Sequence, residues 1–93
     1  MKLARVELEL VDPAKNARRF YAMTVRFVTP RARQLPLFLH VDLVTERARL
    51  EWKDHPVVRV ERFLDLERLR ARWNALLAMR RRHGYVVTSD TAT

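Results

Sequence analysis

An α+β fold is predicted: an antiparallel sheet of four to five strands, with one long C-terminal helix over about residues 65–83 packed across one face. Strict apolar/polar alternation recurs through the first two thirds of the chain and gives way to a 3.6-residue period in the last third. The third observation is Gly84, the only glycine among 93 residues. It stands directly after the helical run, where the C′ position favours a residue tolerant of the left-handed conformation.

The elements follow in order. Val6, Leu8 and Leu10 alternate with Arg5, Glu7 and Glu9, the pattern of a half-buried strand. A turn at Asp12–Asn16, with Pro13 inside it, leads to a second alternation of Tyr21, Met23, Val25 and Phe27. Pro30 and Pro36 bracket a loop containing Arg31 and Arg33. Leu37, Leu39, Val41 and Leu43 then alternate with Phe38, His40, Asp42 and Val44. Ala48, Leu50 and Trp52 alternate with Arg47, Arg49, Glu51 and Lys53, and Val58 and Val60 with Arg59 and Glu61. Hairpin-length connections make the sheet antiparallel. Leu66, Leu69, Trp73, Leu76 and Leu77 form one helical stripe, with Asp65 as N-cap, Glu67 in the first turn and Arg80–His83 at the negative end of the dipole. A single domain over residues 1–87 and a flexible polar tail over residues 88–93 are expected.

Composition narrows the function classes. No cysteine is present, which excludes disulfides, thiol catalysis and cysteine-based zinc sites, and fits a reducing compartment. No apolar run approaches a membrane span, and charges interrupt the opening residues as they do not in a signal peptide, so a cytoplasmic protein is expected. His40, His55 and His83 lie in separate elements without metal-ligand spacing, and no nucleophile–base pair or phosphate-cradling glycine loop can be assembled. The expectation is a protein that is not an enzyme and has no cofactor and no metal.

The net charge of +8 points to a polyanion or an acidic partner, with arginine outnumbering lysine 16 to 3. On the outward sheet face, Arg5, Arg26, Arg47, Arg49, Lys53 and Arg59 are interleaved with Glu7, Glu9, Asp42, Glu51 and Glu61, which reads as a solvated mosaic of ion pairs. The surplus lies in three groups: Lys15, Arg18 and Arg19 at the first turn; Arg31 and Arg33 in the second loop; Arg80, Arg81 and Arg82 at the helix end. Basic loops and a basic last helical turn are also ordinary solvated structure. Arg80–Arg82 acquire a binding role only if the Lys15–Arg19 turn lies beside them.

The run Glu7–Met23, with its Asp-Pro-x-x-Asn turn and Arg19-Phe20-Tyr21 strand, resembles the opening of a WGR domain. Val60-Glu61-Arg62-Phe63, a single helix and Arg80-Arg81-Arg82-His83-Gly84-Tyr85 resemble that family's ending. The middle departs from the family. The Trp-Gly-Arg motif aligns either at Trp52-Lys53-Asp54 or at His40-Val41-Asp42, and in both an aspartate replaces the arginine. The resemblance implies an antiparallel sheet crossed by one helix and a module that binds DNA near strand ends. Trp52 is its one remaining candidate for stacking on a base. Its phase with Ala48 and Leu50 favours core packing instead.

Two functional readings follow. The first is a nucleic-acid-binding module, DNA ahead of RNA, with Lys15, Arg18, Arg19, Trp52, Lys53, Arg80, Arg81 and Arg82 as candidate contacts, the basic loops and helix end meeting the phosphate backbone and Trp52 stacking. The second is a protein-interaction or assembly domain that has lost nucleic-acid binding, with an acidic protein or a second copy as partner and Phe38 and Val44 as an interface patch. Neither reading involves a membrane.

Overall fold

The computed structural model describes residues 2–28 and 40–92. Its elements are β1 (Lys2–Asp12), a 3-10 turn (Pro13–Lys15), β2 (Ala17–Val28), β3 (His40–Arg49), a second 3-10 turn (Leu50–Trp52), β4 (Val57–Phe63), α1 (Leu66–Arg82) and β5 (Val86–Ala92). The five strands form one antiparallel sheet in the order β4-β3-β2-β1-β5, and α1 packs on one face. The fold is α+β as the periodicities predict. No described helix is long and apolar enough to cross a membrane.

Cross-strand register defines the two faces. Val6 stands opposite Met23, Leu8 opposite Tyr21, Val25 opposite Leu43 and Phe27 opposite Val41. These residues share the helix-covered face, where Val6, Leu8, Tyr21, Met23, Val25, Val41 and Leu43 are buried with Leu69 and Leu76 of α1. Trp73, Leu77 and Met79 pack against this core less completely, and Leu66, on the predicted stripe, is 60% exposed.

Three expectations are corrected. Ala48–Trp52 is not a strand of its own: β3 runs unbroken to Arg49, and the chain then turns at Leu50–Trp52. Because strand parity carries through from Val41 and Leu43, Arg47 and Arg49 fall on the helix side and Ala48 on the other. In β4, Glu61 stands opposite Leu43 and Phe63 opposite Val41, so Arg59 and Glu61 also lie on the helix side while Val58 and Val60 face outward. Phe63 joining the core sets this register, and the Glu61 carboxylate is met there by Arg72, whose Nε and Nη2 donate to it at 3.2 and 3.3 Å. Finally, the expected polar tail is ordered through Ala92, continuing from Val86 and Val87 as edge strand β5 along β1. Arg31, Arg33, Leu37, Phe38 and Leu39 lie outside the described residues.

The outer face carries the predicted ion-pair mosaic with a changed membership. Arg5 donates from Nη1 to Thr24 Oγ1 at 2.7 Å and Glu46 Oε1 at 2.9 Å, and from Nε to Glu7 Oε1 at 3.2 Å. Burial opposes the charge on Arg5, yet Glu46 and Glu7 outweigh it and raise its pKa. Asp42, only 3% exposed, lies between Arg62 Nε at 3.3 Å and Arg26 Nη2 at 3.6 Å.

Both helix ends behave as predicted. The Asp65 carboxylate accepts from the Glu67 N–H at 2.8 Å. At the other end Gly84 N–H donates to the Arg81 carbonyl and Tyr85 N–H to the Arg80 carbonyl, both at 3.1 Å, which is a Schellman motif with Gly84 at C′ and φ of 96°. A Cβ at Gly84 would also stand 3.2 Å from Leu10 Cδ1. Gly84→Ala therefore meets backbone strain and crowding together. It should cost about 1–3 kcal/mol in urea unfolding, with an unchanged m-value.

Candidate nucleic-acid interface

The antiparallel order brings three chain reversals to one end of the sheet. There β1 passes into β2 through Pro13–Lys15, β3 into β4 through Leu50–Trp52, and α1 into β5 through Gly84. Lys15, Arg18, Arg19, Trp52, Lys53, Arg80, Arg81 and Arg82 all belong to this end. Of the residues from Lys15 to Arg19, Arg19 comes beside the helix terminus: it lines one cleft with Phe20, Arg47, Val57, Arg80 and Tyr85. A neighbouring hollow of about 150 Å³ is lined by Asn16, Arg18, Arg19, Arg49 and Glu51.

Arg80 is built into this end instead of being solvated. It continues the inward stripe of Leu69, Trp73 and Leu76 at helical spacing. Its guanidinium carbon lies 4.2 Å from the centroid of the Tyr21 ring and 5.6 Å from that of Tyr85. The two rings meet edge to face at 6.3 Å. Cation–π attraction of this kind stabilises by about 0.5–2 kcal/mol and partly offsets the buried Nε, which has no hydrogen-bond partner among the described residues. Arg81 and Arg82 are exposed.

The decisive contrast is in pairing. Arg5, Arg26, Arg59, Arg62, Arg68 and Arg72 each have a carboxylate within 4.0 Å. Among the described residues, Arg18, Arg19, Arg47, Arg49, Arg80, Arg81 and Arg82 have none, and all seven stand at the same end; Arg70 is the one unpaired arginine elsewhere. Arg19 and Arg49 are direct cross-strand partners on one face, a like-charge opposition that disfavours the folded chain by itself. An anion between them would relieve it. The acidic residues of this end, Glu9, Asp12, Glu51 and Asp54, form no ion pair among the described residues.

Arg47 and Arg49 are the site residues that sequence reasoning assigns elsewhere, to the paired outer face. The signal that locates them is the unbroken parity from Val41 onward. Trp52 is corrected in the opposite sense: it is 62% exposed on the turn after β3, so it is not a core residue. Leaving the strand at Leu50 breaks the phase that linked it to Ala48. Of the two stretches weighed above for a Trp-Gly-Arg position, Trp52–Asp54 is at the basic end. His40–Asp42 begins β3 at the opposite end, with Asp42 engaged by Arg26 and Arg62.

Compared with known proteins, the chain matches no family model, no curated protein and no solved structure.

Tyr21 couples the site to pH. Burial raises its pKa; Arg80 and, less strongly, Arg72 act in the opposite direction, while Glu61 adds to the rise. A folded-state pKa above the unfolded value contributes stability that is complete below the unfolded value and lost as pH rises through the folded one. Stability should therefore fall with rising pH above about 10. Tyr21→Phe, which keeps the ring under Arg80, should reduce that dependence, as read by urea unfolding at successive alkaline pH values.

Proposed function

We propose that this chain is a non-catalytic nucleic-acid-binding domain that holds a phosphate backbone at its basic end. The observation that carries the reading is the segregation of unpaired arginines: seven crowd one end while the remaining sheet face neutralises its own charge. A strand of phosphates would supply ion-pair partners that these arginines do not have among the described residues. Guanidinium forks suit phosphate oxygens, and contacts from loops and turns position a duplex without reading its sequence. Exposed Trp52 beside Lys53 offers a face on which a terminal or unpaired base would stack. The likeness to WGR domains supports DNA ahead of RNA, and the absence of cysteine supports a reducing, cytoplasmic setting.

Arg18, Arg19 and Arg49 are the residues whose guanidinium groups would contact phosphate. Arg80 would have a second role, fixing the helix end against the sheet. Binding of a short duplex should weaken with salt, log affinity falling against log salt with a slope of about −3 to −6 for roughly four to seven neutralised phosphates. Arg18→Gln and Arg49→Gln should each weaken binding uniformly across sequences and lower the slope by about one. Fluorescence anisotropy with labelled duplex and single strand reads both effects. Absence of binding at low salt would sink the reading and leave an acidic protein as the partner of this end.

A further inference from the structure

We propose that β4 is a dimerisation edge: two copies of this chain join their sheets through antiparallel pairing of β4 with β4, centred on Val60. β4 is an outermost strand, so one row of its backbone N–H and C=O groups has no neighbouring strand among the described residues. It runs Val57-Val58-Arg59-Val60-Glu61-Arg62-Phe63, with no proline, lysine or bulge to discourage pairing. Val57 is 62%, Val58 54% and Val60 50% exposed, and Leu64, just beyond the strand, 73%. These are large apolar side chains that the monomer leaves in water.

The charges on this strand select both the occupant and the register. With Val60 opposite Val60 of the second copy, Arg59 faces Glu61 of that copy and Glu61 faces its Arg59. The twofold symmetry thus gives each Glu61, whose carboxylate already accepts from Arg72 of its own copy, a second guanidinium from the other copy on the helix side. The same register sets Val57 against Phe63 and Val58 against Arg62. Centring on Arg59 or on Glu61 would instead place like charges face to face. A one-residue slip would turn the helix-covered face of one copy toward the outer face of the other. Opposed strand residues share parity in the Val60-centred register, so both helices lie on the same side of one continuous sheet. On the outer side, Val58, Val60 and half-buried Val44 of each copy become one apolar strip across the junction. The opposite edge, β5, carries Asp90 as its single charge and has no comparable self-complementary pair.

The basic end lies at the Val57 end of β4, away from the Val60 centre, so this inference does not depend on nucleic-acid binding. A chain with no cysteine allows a direct test. At a directly opposed antiparallel position the Cα atoms stand about 4.5–5.5 Å apart, within the roughly 4.4–6.8 Å that a disulfide spans. Val60→Cys should therefore cross-link to a covalent dimer under mild oxidation, while Ser89→Cys on β5 should remain monomeric under the same conditions. Adding Arg59→Glu to Val60→Cys sets a carboxylate, in place of the guanidinium, against Glu61 of the other copy. Cross-linking should then slow by at least about fivefold. Circular dichroism confirms that each variant is folded. Cross-linking of Val60→Cys no faster than Ser89→Cys, or a rate unaffected by Arg59→Glu, would overturn the proposal.

Discussion

The end of α1 is held by a small aromatic clasp on which the rest of the basic end depends. Arg80 lies over Tyr21 of β2 and beside Tyr85, the residue that follows the C′ glycine. The Schellman hydrogen bonds require Gly84 in a left-handed conformation. That geometry returns Tyr85 toward Arg80 in place of the apolar contact that usually closes such a motif. The helix terminus is thereby fixed over the sheet instead of fraying. β5 starts where it can pair with β1, and the guanidinium groups of Arg81 and Arg82 are carried to the same end as the Lys15–Arg19 turn.

The division of charge follows from this arrangement. On the outer face, carboxylates and guanidinium groups alternate across neighbouring strands, and Arg5 and Asp42 each sit at the centre of a small network. Such networks satisfy groups that the sheet partly removes from water, and they leave little field outside the protein. At the basic end the arginines have no carboxylate within 4.0 Å among the described residues, and Arg19 and Arg49 are placed opposite one another. A folded chain tolerates this cost of like-charge proximity because the end is solvated. It also marks where an external polyanion would gain most.

The two edges of the sheet are managed differently. β5 is polar apart from Val86, Val87 and Ala92, and pairs with β1 through a register shift between Glu7 and Leu8. β4 puts Val58 and Val60 outward and Arg59 beside Glu61 on the helix side, an order of charges complementary to that of an antiparallel copy of itself. Electrostatics takes two forms in this molecule: unbalanced at one end and self-complementary at one edge.

Local sequence determined the strand character of β1 and β2, the N-cap at Asp65, the helix period and its stop at Gly84, because caps, periodicity and the left-handed residue are properties of a few neighbouring positions. It also located the surplus charge of Lys15, Arg18, Arg19 and Arg80–Arg82. Tertiary structure alone decided which arginines are paired. Arg47 and Arg59 look equivalent in their alternating strands, yet one is unpaired and the other neighbours Glu61. Val58 and Val60 alternate as core residues would, but Phe63 and the Glu61–Arg72 pair set the opposite phase. Trp52 left the core because the chain turned two residues before it. Pairing, facing and exposure at these positions follow from register between strands distant in sequence, and a shift of one residue in that register reverses every side chain on the strand.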